Sequence, residues 1–515
     1  MGRAFAYVIL GGGVAAGYAA LEFARRRAGA SPGELCIISD EAVAPYERPA
    51  LSKGYLLPQG AARLPAFHTC AGANDEVLTE QWYKDHGIEL VLATRVISAD
   101  VRRKTLLTDS GETIGYKTLI VATGAREERM NEGRPYLQMW RGVRASELEE
   151  FGVRGSDAAN VCYLRSLEDA DKMVGVMKPC HGGNAVVIGG GYIGMECAAA
   201  LVANEIKVTM VFPGKHCMGR LFTPKIAEFY EKYYAAKGVV FVKGTAVKSL
   251  EVSDGKVAAA ILRDGRRLPA DMVVVGIGAR ANTGLFDGQL AMERGGIKVN
   301  GRMQTSDAAV YAVGDVAAFP VALLGGDVRR FEHVDCARRT ARRAIEAILE
   351  PSGGAAEEGK AFGYLPYFYS RVFALSWQFY GDNAGEAVHF GDFSPPVAGG
   401  KPKFGACWVS GGRVAGAFIE GGSPEENEAM ASAVRSRAAI ADLAAELGSR
   451  GLGFADEESR RKGVRRGALA AGDRPTYARH ATVGVAAAVS IAAFAYWYGW
   501  MAPYVVKRDF SDPKL

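Results

Sequence analysis

The chain has 515 residues, room for roughly three domains, and its 49% apolar content is that of a folded protein. A formal net charge of +5 is small for this length and gives no reason to expect a nucleic-acid partner. The eight cysteines include no closely spaced pair of the kind that zinc sites and redox-active disulfides use, so buried thiols in a reducing compartment are expected.

A strand is predicted at residues 7–10, which leaves no room before it for a signal or transit peptide. Ala6 stands where a myristoylation signal after Gly2 wants Ser or Thr. The turn Gly11-Gly12-Gly13-Val14-Ala15-Ala16 then opens an Ala-rich helical pattern. In this strand–turn–helix context Gly11 permits the tight turn, Gly13 lets backbone approach a pyrophosphate, and Ala16 lets the helix pack on the strand. The free N–H groups of the helix N-terminus suit phosphate oxygens. An acid about 20 residues on would hold an adenosine ribose. After the strand at 35–38 come Asp40 and Glu41; Glu41 is favoured and Asp40 competes. The run Pro45-Tyr46-Glu47-Arg48-Pro49-Ala50-Leu51-Ser52-Lys53 is stiffened by its prolines, and Arg48 and Lys53 are candidates to hold a pyrophosphate or a flavin edge. Residues 118–124 read as a buried strand ending in a glycine turn, and 126–160 as a polar linker or insertion.

A second fingerprint, Gly189-Gly190-Gly191-Tyr192-Ile193-Gly194, follows an apolar strand at 185–188. Two such sites imply a relay between two nucleotide cofactors. The strand at 207–212 ends in Pro213-Gly214-Lys215-His216, where the expected acid is missing. A carboxylate there favours NAD and a cation accommodates the 2′-phosphate of NADP, with Arg220 and Lys215 as the candidate cations. Another strand falls at 272–276. The sequence Val310-Tyr311-Ala312-Val313-Gly314-Asp315 places Asp315 to accept hydrogen bonds from the ribityl chain of a flavin. A helix is predicted around 338–349, then a Gly/Glu-rich connector at 352–360 and a segment with aromatic strands at 361–447.

A basic linker follows at 448–480, and residues 481–506 carry no charge. As a helix that stretch would measure about 39 Å, enough to cross an apolar core of about 30 Å with tilt. Tyr496, Trp497, Tyr498 and Trp500 suit a membrane interface, and the arginines at 460–466 suit its cytosolic side. The expectation is a tail-anchored protein with its catalytic part in the cytosol and a short tail, 507–515, beyond the membrane.

Several blocks are more specific than the fingerprints: AVAPYERPALSKGYL (42–56), CMGRLFTPKIAEFYE (217–231), EHVDCAR (332–338), YLPYFYSR (364–371), LSWQFYGDN (375–383) and GAFIEGGSPEENE (416–428). Over residues 1–447, apart from an extra stretch near 126–150, the chain resembles monodehydroascorbate reductase, a flavoenzyme family of the plant and algal ascorbate cycle. The resemblance implies an α/β fold: two Rossmann-like dinucleotide-binding domains, a C-terminal α+β domain and, in this chain, a C-terminal transmembrane helix. The FAD domain would comprise 1–125 and 306–350, the NAD(P) domain 161–305 and the α+β domain 361–447. It implies that Gly11, Gly13, Ala16, Glu41, Arg48, Lys53, Arg165 and Asp315 contact FAD. Gly191, Tyr192, Ile193 and Arg220 would contact NADH or, less well, NADPH. Arg338 and Tyr367 would face the ascorbyl radical, with Tyr369 as the rival to Tyr367. Two departures stand out: Gly214 occupies a position where members typically carry Glu, which leaves the coenzyme open, and Cys336 replaces a His. A radical anion needs a cation to hold it, which Arg338 supplies, and an aromatic such as Tyr367 suits its ring. The competing readings are a reductase of ferredoxin or rubredoxin on the same fold and a non-catalytic membrane-tethered flavoprotein. The basic cluster before the span and the terminal Pro513-Lys514-Leu515 point to the peroxisomal membrane, with endoplasmic reticulum and mitochondrial outer membrane as alternatives.

Overall fold

A computed structural model describes residues 2–27, 31–58, 76–130, 153–350, 360–394 and 400–439. Strand β1 (Ala4–Leu10) runs into the first glycine turn and helix α1 (Val14–Arg26). It pairs in parallel with β2 (Leu35–Ile38), which pairs with β3 (Glu89–Val91). Strands β4 (Val96–Asp100) and β5 (Thr105–Thr108) form an antiparallel edge against the start of β6 (Thr113–Val121). The end of β6 lies between β1 and Val310–Ala312, parallel to both, with Ile120 opposite Ile9 on one side and Tyr311 on the other. The C-terminal ends of these strands therefore deliver the first fingerprint, Gly124 and Asp315 to one edge, where open parallel sheets bind ligands.

Strand β7 (Ala125–Glu127) leads out of this sheet. The second sheet is wholly parallel: β8 (Val161–Cys162), β9 (Asn184–Ile188), β10 (Lys207–Phe212), β11 (Val240–Lys243) and β12 (Met272–Val275), in the order β11-β10-β9-β12-β8. Helix α2 (Tyr192–Ala203) follows β9, and α3 (Pro224–Ala236) starts from the Thr223 cap. Strand β13 (Ala279–Ala281) returns antiparallel to β7, with Ala281 opposite Ala125. From there the chain rejoins the first unit: Phe286, Leu290, Ile297, Val299 and Met303 pack into the core around β1 and β6. The sequence reading assigns these residues to the second unit; their apolar pattern marks them as core without saying whose core.

Helix α4 (Val334–Leu349) covers α1. The C-terminal unit is a five-stranded antiparallel sheet built from β14 (Tyr367–Val372), β15 (Leu375–Gly381), β16 (Glu386–Asp392), β17 (Lys403–Ser410) and β18 (Arg413–Glu420), in the order β14-β15-β18-β17-β16. One face, with Trp377, Phe379, Phe404 and Phe418, merges with Phe222, Phe229 and Tyr230 of the second unit. Met430 and Val434 of α5 (Pro424–Arg435) cover the other. No helix among the described residues is long and apolar enough to cross a membrane. The expected span at 481–506, its basic linker and the tail lie outside the described residues.

Glu420 closes this interface. It is 1% exposed, takes the Tyr230 hydroxyl, and accepts the Ser376 N–H at 2.7 Å. Burial outweighs these donors and pushes its pKa from 4.5 up to about 7. The folded protein thus keeps a proton that the unfolded chain releases. That stabilisation is complete below about pH 4.5 and is lost as pH rises through about 7. Glu420→Gln should therefore melt with wild type near pH 5 and above it near pH 8. Parallel melting-temperature curves across that range would contradict this.

Candidate functional site

The first fingerprint folds as its glycines require. Gly11 has φ +119°, and a Cβ there would lie 2.3 Å from the Ala122 carbonyl oxygen. Gly13 caps α1 with extended backbone and brings no side chain over the first turn, so the helix N-terminus is open to a close approach. Ala16 is buried against the strand. Gly11→Ala introduces about 1–3 kcal/mol of backbone strain at the phosphate turn. The expected product is folded protein without the yellow cofactor, read from the visible absorbance of the purified variant.

Asp40 is exposed, whereas Glu41 turns inward, accepts the Tyr46 hydroxyl at 2.7 Å and pairs with Arg48. Arg48 also donates to the Arg165 carbonyl at 3.0 Å, and a Cβ on Gly13 would meet only its guanidinium, at 3.5 Å. Arg165 in turn lies 3.3 Å from Asp315. Asp315 sits in a turn made possible by Gly314 at φ +71°, whose N–H bonds Thr340 at 2.9 Å. Gly13, Arg48, Arg165 and Asp315 are thereby joined around one cradle. With its glycine-capped helix N-terminus, glycine floor and inward acid, the cradle fits a dinucleotide.

Lys53 does not stand free at a pyrophosphate. Its ammonium is 2.8 Å from Glu196 of α2. Glu196 is 5% exposed and also takes the hydroxyls of Ser52 and, at 2.5 Å, Ser370 of β14. One carboxylate thus joins the Pro45–Lys53 segment, the second fingerprint helix and the C-terminal sheet. The sequence reading misses it, although a signal exists: Glu196 is the sole charged residue in Tyr192–Ala203.

Arg338 projects from α4 to Glu47 at 2.8 Å and over the Tyr18 ring at 5.0 Å. Its Nε is buried without a hydrogen-bond partner. Burial opposes the charge, but Glu47, Tyr18 and Tyr369 outweigh it and hold the guanidinium above its ordinary pKa. On β14, alternation sends Tyr367, Tyr369 and Arg371 to one face and Phe368 and Ser370 to the other. Tyr367 is 5% exposed, stacks on Tyr380 and Tyr369, and directs its hydroxyl to Gln378 at 3.3 Å. Tyr369 is the more open of the two and bears on Arg338 electrostatically.

At the second fingerprint Gly189 has φ +116°, and a Cβ would lie 2.2 Å from the Gly276 carbonyl oxygen, the counterpart of Gly11 and Ala122. Gly191 caps α2 without a side chain, and Ile193 is exposed. Tyr192 packs between Trp377 (6.1 Å), Phe368 (5.9 Å) and His333 (6.2 Å), measured between ring centroids. Burial, then Glu196 and Glu332, raises its phenol pKa. His333 stacks on Phe368 at 4.3 Å, and burial pushes its pKa down to about 4, which keeps the imidazole neutral. A cleft of about 440 Å³ opens beside Gly191, walled by residues 212–216 and 218–222, Arg220 among them. Its glycine mouth and volume suit a second nucleotide.

The family described as pyridine nucleotide-disulphide oxidoreductase matches residues 5–341, and "Monodehydroascorbate reductase 3-like, C-terminal domain" matches 365–455. "Monodehydroascorbate reductase 1, peroxisomal" of Oryza sativa subsp. japonica is 72% identical over 99% of this chain and 100% of its own. "Monodehydroascorbate reductase 4, peroxisomal" of Arabidopsis thaliana is 59% identical over 97% and 99%, and the Pisum sativum monodehydroascorbate reductase 50% over 89% and 100%. Among solved structures, putidaredoxin reductase in covalent complex with putidaredoxin superposes with TM-score 0.71 at 26% identity, covering 88% of this chain and 99% of that one. Sequence, fold and paired nucleotide sites agree: the chain belongs to the monodehydroascorbate reductase family, FAD- and NAD(P)H-dependent oxidoreductases that reduce the ascorbyl radical.

Proposed function

We propose that this chain performs the family reaction with Arg338 and Tyr367 at the radical, the α1 cradle holding FAD and the α2 cleft holding the nicotinamide nucleotide. The overall balance is one NAD(P)H, one proton and two ascorbyl radical anions in, and one NAD(P)⁺ and two ascorbate monoanions out. FAD, when bound, supplies the conversion from a two-electron donor to one-electron acceptors. Gly11, Gly13 and Ala16 admit its pyrophosphate to the helix N-terminus, Glu41 meets its ribose, and Asp315 with Arg165 meets its ribityl chain. Arg48 and Lys53 act through Glu41 and Glu196, fixing the walls of the cradle. Gly191, Tyr192, Ile193 and Arg220 line the entry of the nicotinamide nucleotide. Arg338 offers its guanidinium to the radical anion, and Tyr367 and Tyr369 present aromatic faces beside it. The observation that carries this reading is the unpartnered, buried Nε of Arg338, a charged donor left for a ligand.

Ascorbate oxidase generating the radical in situ provides the test. Radical-dependent loss of NADH or NADPH absorbance is expected; loss that requires ferredoxin or rubredoxin instead would favour the protein-acceptor reading. The peroxisomal names of the rice and Arabidopsis relatives support a peroxisomal location for this chain. We place it as a single-pass protein anchored by 481–506 with its catalytic part cytosolic. Imaging a tagged chain with and without 455–515 checks this, and an unchanged location on truncation refutes it.

A further inference from the structure

The two nucleotide units superimpose through their hydrogen bonds, and that correspondence identifies the position that reads the ribose. In the first, the Gly11 N–H bonds the Ile38 carbonyl at 2.8 Å; in the second, the Gly189 N–H bonds the Val211 carbonyl at 2.9 Å. Three residues beyond Ile38 is Glu41, and three beyond Val211 is Gly214. The position that carries an inward carboxylate in one unit thus carries no side chain in the other. Gly214 is exposed, and a Cβ there would meet nothing nearer than the His216 carbonyl oxygen at 3.3 Å, so the missing acid is not a matter of space.

What replaces it is positive. The segment after β10 folds back on the glycine turn through the Met218 N–H to the Gly190 carbonyl at 2.7 Å, which makes it a wall of the cleft. Lys215, His216 and Arg220 lie on that wall, and among the described residues no Asp or Glu lines the cleft. Lys215 and Arg220 are exposed, and among the described residues no carboxylate pairs with either. The nearby Glu231 is engaged elsewhere, by Lys243 at 2.7 Å and the Cys217 N–H at 2.9 Å, with His216 at 3.5 Å. A carboxylate at this place bonds a free 2′-hydroxyl and repels a 2′-phosphate; cations without one do the reverse.

We propose that Lys215 and Arg220 form a subsite for the 2′-phosphate, so that this chain takes NADPH in preference to NADH. The inference rests on the reading of this cleft as the nicotinamide-nucleotide site. Titration calorimetry on the flavin-loaded protein compares adenosine 2′,5′-bisphosphate, adenosine 3′,5′-bisphosphate and adenosine 5′-monophosphate. The 2′,5′-bisphosphate should bind about tenfold tighter than the monophosphate, the increment of roughly one charge-assisted pair. The advantage should shrink with added salt. Lys215→Ala combined with Arg220→Ala should remove it, and Gly214→Glu, at an open surface position, should invert it. In turnover with the ascorbyl radical the NADPH-to-NADH ratio of kcat/KM should fall in step in both variants. Equal binding of the 2′,5′- and 3′,5′-bisphosphates, or a preference that survives the double variant, overturns the subsite. Failure of all three ligands to compete with the reducing nucleotide overturns the reading of the cleft itself.

Discussion

Arg338→Ala is expected to keep its flavin and lose the radical: kcat/KM for the ascorbyl radical should drop about a hundredfold, roughly 3 kcal/mol. The guanidinium is buried at the edge of the cradle, and its carboxylate partner among the described residues, Glu47, uses Nη2 alone. Removing it deletes the cation an anionic acceptor needs and leaves Glu47 to repel that acceptor. Arg338→Lys restores charge but not the planar fork, so it should recover only part of the loss. Oxidation of the reducing nucleotide with a neutral quinone as acceptor separates the two half-reactions. If Arg338→Ala loses quinone reduction in equal measure, the residue supports the fold or the flavin and not the radical.

Glu196→Ala should cost about 3–5 kcal/mol, because it leaves Lys53 charged and largely buried with only the Pro49 carbonyl, at 3.3 Å, and no carboxylate. Ser52 and Ser370 lose their acceptor at the same time. Glu196→Gln keeps an acceptor for a hydroxyl and should lose less. The thermal midpoint of the flavin-loaded protein measures both, and flavin release on heating shows whether the cradle opens first. An alanine variant as stable as wild type would mean that Lys53 finds another partner or reaches water, so the junction carries no stability.

What was legible in the sequence was local. Gly11 and Gly189 declare themselves because the backbone they need is barred to other residues, and each sits where a Cβ would strike a carbonyl. Asp315 is readable because a strand, a glycine and an acid are consecutive. Arg338 with Glu47, or Lys53 with Glu196, joins residues 291 or 143 positions apart, and no pattern in one chain announces such partners. The placement of Phe286–Met303 fails for a related reason, since an apolar segment does not name the sheet it covers. Tyr367 and Tyr369 lie on the same face of one strand, so alternation cannot choose between them. Only their surroundings differ, Gln378 and Tyr380 for one and Arg338 for the other.

The β7–β13 ribbon has a consequence for exchange between proteins. Because Ala125 and Ala281 are opposite one another, the chain leaves and re-enters the first unit at a single doorway. Among the described residues between them, none forms a rung of the first sheet. A coenzyme module from another reductase could be spliced in at this doorway. The graft would have to supply a carboxylate where Glu196 meets Ser52, Lys53 and Ser370, since those three anchors belong to the host.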